Sequence, residues 1–133
     1  MKAVKARITR ALLRGARVPV CDNSGAKIIN IISVINLKTV RRRVQSAAVG
    51  DLITASVVSG NVEMRKQVVY AIIVRQRKEY RRPDGTRIKF EDNAAVVLKD
   101  EKGTPKGTLF KGPVAKEAAD RWPNLAKVAG MIV

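Results

Sequence analysis

Histidine is absent from this 133-residue chain. The commonest general base and a frequent metal ligand go with it. Cysteine occurs once, as Cys21, so no internal disulfide is possible and a reducing, cytoplasmic setting is expected. As a nucleophile Cys21 would need some other base beside it; a small buried apolar residue is the simpler reading. No apolar run approaches the ~18 residues of a spanning segment, and the basic N-terminus has no continuous apolar stretch of the signal-peptide kind. Acidic residues are few, and the adjacent pair Glu91-Asp92 could suggest a metal site for nuclease chemistry. Neighbours in an extended chain point to opposite faces, so a solvated turn or local partners for arginine explain that pair at least as well. No glycine pattern forms a phosphate-cradling loop or dinucleotide fingerprint. These absences leave no catalytic constellation and predict no cofactor, metal or small-molecule substrate.

What is abundant is positive charge: 27 Lys and Arg against 11 Asp and Glu, a balance of +16. A surface that repels itself this strongly calls for a polyanion to neutralise it, and nucleic acid is the leading candidate. The charge is uneven. Residues 1–90 carry +15 and residues 91–133 only +1, so the first two thirds should meet the polyanion and the last third water or protein. Three basic clusters stand out. Arg7, Arg10, Arg14 and Arg17 recur on one face of a helix, if that segment is helical rather than a mobile arm. Arg41, Arg42 and Arg43 are consecutive. Arg75, Arg77, Lys78, Arg81, Arg82, Arg87 and Lys89 fall on one predicted hairpin, opposed locally by Glu79 and Asp84. Arginine's planar fork grips phosphate oxygens bidentately. Six to ten phosphate contacts would give a salt slope of roughly −4 to −9. Aromatics make up 4% of the chain, and of these only Tyr80 lies within a basic cluster. Recognition of folded RNA by backbone and shape therefore suits the chain better than base stacking. Tyr80, Lys27, Asn23 and Asn93 join the candidate RNA contacts, although turn stabilisation explains both asparagines equally well.

The chain reads as mainly β. β-Branched residues concentrate over 27–37, 52–59 and 68–77, with shorter strands expected at 86–90, 94–99 and 108–111. Asp22-Asn23-Ser24-Gly25 is a dense turn signal, and Arg81-Arg82-Pro83-Asp84-Gly85-Thr86 is the best hairpin tip. After Pro113, Val114, Ala118 and Trp122 repeat at helical spacing. Pro123 should end that helix, and Asn124 can cap a second one through Ala129. Short strands followed by terminal helices predict a small closed barrel with a helical appendix. One domain is expected, with residues 1–17 as a basic arm, 18–111 as barrel and hairpin, and 112–133 as the helical part.

Two stretches carry a resemblance. Asp22 to Ala26 (DNSGA) and Ala71 to Leu98 (AIIVRQRKEYRRPDGTRIKFEDNAAVVL) are similar to the universal large-subunit ribosomal protein fourteen family in its archaeal and eukaryotic form. Val49-Gly50-Asp51 and Gly112 to Pro123 (GPVAKEAADRWP) follow in the right order and spacing. The resemblance implies a closed five-stranded barrel with a protruding β-hairpin and short C-terminal helices. It implies binding to large-subunit ribosomal RNA without catalysis, and a place on the intersubunit face. There it implies contacts with large-subunit proteins three and twenty-four and with small-subunit RNA. It further implies that the C-terminal region docks anti-association factor six, for which Lys116, Glu117, Asp120 and Arg121 are the candidate residues. The alternatives are a free-standing single-strand binder that depends on Tyr80 and a nuclease that depends on Glu91 or Asp92.

Overall fold

The computed structural model describes residues 1–4 and 6–133. In chain order the elements are β1 (Leu12–Leu13), β2 (Arg17–Pro19), β3 (Ala26–Val34), β4 (Ser46–Ala47), β5 (Leu52–Gly60) and β6 (Val68–Arg75). They continue with β7 (Tyr80–Arg81), β8 (Arg87–Ile88), β9 (Ala94–Leu98), α1 (Lys116–Arg121) and α2 (Pro123–Val128).

The β-branched runs form the central sheet, whose five antiparallel strands lie in the order β2-β3-β5-β6-β9. Alternation sets the faces of β3, with Ile29 and Ile31 buried and Ile28 and Ile32 exposed; Val34 is buried because a register shift between Ile31 and Ser33 changes the parity. Register shifts between Ala26 and Ser33 on the β3–β5 ladder mark bulges, which bend and twist a sheet. The bent sheet brings its outer strands together: Val20 bridges Ala95 in parallel, and the Cys21 N–H donates to the Ala95 carbonyl at 3.0 Å. β9 is buried along its whole length. The C-terminal half of β6 is buried on both faces, because the start of the helical region crosses it, with the Ala115 N–H donating to the Val74 carbonyl at 3.1 Å.

The turn at 22–25 is built by Asp22. Its Oδ1 accepts from the Ser24 N–H and hydroxyl, and its Oδ2 accepts from the Val97 N–H at 2.9 Å. A short polar side chain that replaces backbone partners in this way explains why such residues gather in turns. Cys21 is buried beside it, and burial pushes its thiol up to about 11.

One open alternative is decided and two expectations require correction. The N-terminal segment forms no helix among its described residues. Leu12–Leu13 instead pairs with Ser46–Ala47, and Arg17 opens β2, because buried Leu12 and Val18 secure extended backbone against neighbouring strands. Residues 108–111 contribute only a bridge between Asp22 and Phe110. Pro123 does not merely end α1; it is the first residue of α2, where its missing N–H costs nothing.

Candidate nucleic-acid interface

Two basic clusters far apart in sequence meet through the β1–β4 pair. The Arg14 N–H donates to the Gln45 carbonyl at 2.9 Å, and the Gln45 side chain accepts from Val34 N–H and donates to the Leu37 carbonyl. This clip fixes the base of the loop that carries Arg41, Arg42 and Arg43, all exposed, beside exposed Arg10 and Arg14. Arg42 takes a positive φ of 70° at the loop tip. Lys27 is exposed on β3. Among the described residues, no carboxylate forms an ion pair with any of these cations. Lys38, Arg65 and Lys66 are further exposed cations that sequence reasoning passed over, since none falls in a run of three.

The hairpin divides its cations by strand alternation. In the β7–β8 register Tyr80 faces Ile88 and Arg81 faces Arg87. Glu79, Arg81 and Arg87 are exposed, while Tyr80 and Arg82 turn inward. Arg81 and Arg87 are thus like charges directly opposite one another, an arrangement that destabilises a bare hairpin. The nearest relief is an exposed Arg87–Glu79 pair at 3.7 Å, which solvent screens. Arg77, Lys78 and Lys89 are also exposed. The Arg77 Nε donates to the Glu91 carbonyl, which holds its stem along the strand exit.

Five sequence candidates are not free for RNA. Arg75 is buried. Its Nε and Nη2 donate to both carboxylate oxygens of Asp92 at 2.9 and 3.1 Å, and its Nη1 donates to the Lys111 and Pro113 carbonyls at 2.9 and 2.7 Å. Arg82 donates through Nε to Glu117 Oε1 at 2.8 Å and through Nη2 to the Val133 carbonyl at 2.6 Å. Burial disfavours its charge, but the Glu117 hydrogen bond and charge outweigh that and raise its pKa. Tyr80 is 1% exposed, and its hydroxyl donates to Glu117 Oε2 at 2.7 Å. Burial first, and then this bond, push the phenol well above its usual range. Asn93 accepts the Arg77 N–H through Oδ1. Asn23, although exposed, spends its amide on Thr108 and Leu109: Oδ1 accepts both backbone N–H groups and Nδ2 donates to the Thr108 hydroxyl. For both asparagines the turn-stabilising reading is the one seen.

The docking candidates divide in the same way. Lys116 and Asp120 are exposed on α1, whereas Glu117 is 5% exposed and belongs to the core cluster just described. Arg121 is half-buried, with its Nη1 donating to Asp51 Oδ1 at 3.1 Å and its guanidinium over the Trp122 ring. None of the aromatic side chains is exposed: Tyr80, Phe110 and Trp122 are buried, and Tyr70 and Phe90 half-buried. A single-strand binder that stacks bases on Tyr80 is incompatible with that burial. Asp92, one of the two metal-ligand candidates, is engaged by Arg75, and no group of three or more His, Cys, Asp or Glu converges among the described residues. No helix among them is long and apolar enough to cross a membrane.

The missed feature is Gln76, fully buried, whose Oε1 accepts the Val49 N–H and whose Nε2 donates to the Thr9 and Lys78 carbonyls. It ties the N-terminal segment, the Val49 turn and the hairpin base together. A lone amide at the end of an apolar strand was the only signal for it.

A model of the family described as Ribosomal protein L14p/L23e matches residues 11–133. The chain belongs to the L14p/L23e family. Its similarity to members extends over full length. The large ribosomal subunit protein uL14 of Nanoarchaeum equitans (strain Kin4-M) is 53% identical over 133 residues, covering 100% of both chains. The protein of that name from Methanococcus vannielii is 54% identical over 132 residues, 99% of each chain. That from Picrophilus torridus is 53% identical over 133 residues, again 100% of both. L14p/L23e is a family of ribosomal structural proteins, not of enzymes, in keeping with the thin catalytic inventory.

Proposed function

We propose that this chain is a structural constituent of the large ribosomal subunit that binds ribosomal RNA through two exposed basic surfaces. One is the clipped loop of Arg41 to Arg43, joined by Arg10 and Arg14. The other is the outward face of the hairpin, with Arg77, Lys78, Arg81, Arg87 and Lys89. The observation that carries this reading is the facing pair Arg81 and Arg87, exposed and of like charge. An RNA phosphate between them would turn a destabilising pair into a favourable one. Full-length similarity to large-subunit proteins supports the same assignment.

On this reading the five-stranded sheet closes as a barrel, supported by the Val20–Ala95 bridge. The chain acts as one domain and works in the cytoplasm, on the intersubunit face. Large-subunit proteins three and twenty-four, small-subunit RNA and anti-association factor six are its expected neighbours, with Lys116 and Asp120 on the exposed side of α1 as the docking residues. The near-neutral charge of residues 91–133 supports protein contact there. The test is RNA binding as a function of salt. Replacing Arg41, Arg42 and Arg43 by Ala, or Arg77, Arg81 and Arg87 by Ala, should each make the slope shallower by about 2 to 3. Unaltered slopes and normal incorporation into large subunits would sink the assignment.

A further inference from the structure

The hairpin offers cations to solvent on one face and turns Tyr80, buried, and Arg82, partly buried, inward on the other. Both inward groups converge on one carboxylate 35 to 37 residues away, that of Glu117 on α1. Oε2 accepts the Tyr80 hydroxyl at 2.7 Å and Oε1 accepts Arg82 Nε at 2.8 Å. Arg82 Nη2 reaches the Val133 carbonyl at 2.6 Å and lies 3.5 Å from Oε2. The hairpin itself is slight: β7 and β8 contribute two residues each. A two-stranded ribbon of that size has little stability of its own in water, so its direction must come from what its inner face touches.

We infer that Glu117 is a positioning residue for RNA binding: through Tyr80 and Arg82 it sets the direction in which the hairpin presents Arg81 and Arg87. The inference rests on the RNA-binding reading above. Alternation along β7 makes it work, because fixing residues 80 and 82 inward fixes residue 81 outward. Glutamine at 117 would keep one acceptor oxygen, turn an NH2 group toward the second donor and remove the counter-charge of a largely buried guanidinium, and the hairpin would swing out to hydrate it.

Simple electrostatics and positioning predict opposite signs, which makes the test sharp. Glu117→Gln removes one negative charge from a polyanion binder, so charge alone would tighten binding to purified large-subunit ribosomal RNA. Positioning predicts weaker binding, roughly tenfold or more, with a salt slope shallower by about 1.4 to 1.8 for two lost phosphate contacts. In the free full-length protein, amide exchange should quicken at Arg82 and Phe90, which donate to the Thr86 and Gln76 carbonyls. Tyr80→Phe keeps the ring packing and the Arg82 pair, and should show a smaller shift of the same sign; it decides the matter if Glu117→Gln does not fold. The Arg81→Ala/Arg87→Ala double variant separates the two readings. If it weakens binding while Glu117→Gln binds as tightly as the parent or more tightly, the positioning role is wrong and the RNA face stands. If it leaves binding unchanged, the hairpin is no RNA face and the inference falls with it.

Discussion

Replacing Arg75 with Met should destabilise the protein by about 3 kcal/mol without altering how it meets RNA. The substitution keeps an apolar stem of similar length and removes four hydrogen bonds, two to Asp92 and two to the Lys111 and Pro113 carbonyls. The partners are unequally placed: the Arg75 side chain is 8% exposed and that of Asp92 52%. Asp92 can rehydrate, so its loss of a partner costs at most about 1 kcal/mol. The two carbonyls lie against the strand end, where each lost charge-assisted bond costs about 1 kcal/mol or somewhat more. Asp92→Asn should therefore cost only about 1 kcal/mol, since Arg75 keeps its carbonyls. At a typical unfolding entropy per residue, 3 kcal/mol lowers Tm by about 10 °C. Urea unfolding followed by Trp122, the single tryptophan, measures both variants if the m-value is unchanged. Equal costs for the two substitutions would refute the reasoning, because they would place the stabilisation in the ion pair and not in the carbonyls. So would a steep drop in the RNA salt slope for Arg75→Met under conditions where it is folded.

Cys21 and Tyr80 make stability fall at alkaline pH. The thiol moves from 9.0 to about 11 on folding, so below pH 9 both states keep the proton and this group contributes no pH dependence. Between about pH 9 and 11 the unfolded chain releases it first, costing up to about 2 to 3 kcal/mol. Cys21→Ala should flatten that limb, and Tyr80→Phe should flatten the part above pH 10; parallel curves for parent and variants would contradict the burial argument. Gly85 and Gly103 share a φ of 91°, but a Cβ at Gly85 meets open space and one at Gly103 would lie 2.6 Å from Trp122 Cε3. Gly85→Ala should cost about 1 kcal/mol and Gly103→Ala about 3 kcal/mol, with altered Trp fluorescence only in the latter. Lys116→Glu and Asp120→Lys should spare RNA affinity and impair subunit docking; the reverse pattern in binding and subunit-joining assays would show that the surface is divided elsewhere.

Much of the fold is legible along the chain. The Ile and Val runs of β3, β5, β6 and β9 carry their own strand signal, because branched side chains suit a pleated surface wherever it packs. The turn at Asp22 to Gly25 and the tip at Asp84-Gly85 are local chemistry, and the split between a +15 region and a +1 region is plain arithmetic on the sequence. The N-terminal arginines left helix and mobile arm open because their spacing describes only a polar face. Whether the chain coils or extends was settled by Ser46–Ala47, a partner over 30 residues away.

Membership of a basic patch was also visible in the sequence; the function of each cation in it was not. Arg81 and Arg82 are adjacent and identical, yet one faces solvent and the other a carboxylate from α1. Alternation could have separated them, but only the packed hairpin says which side is inward. Arg75 and Arg77 divide in the same way, through Asp92 and two distant carbonyls. Net charge and strand propensity are sums over residues, so the sequence alone determines them. Whether a given arginine is free depends on the acceptor that folding brings within about 3 Å of it, and that acceptor comes from elsewhere in the chain.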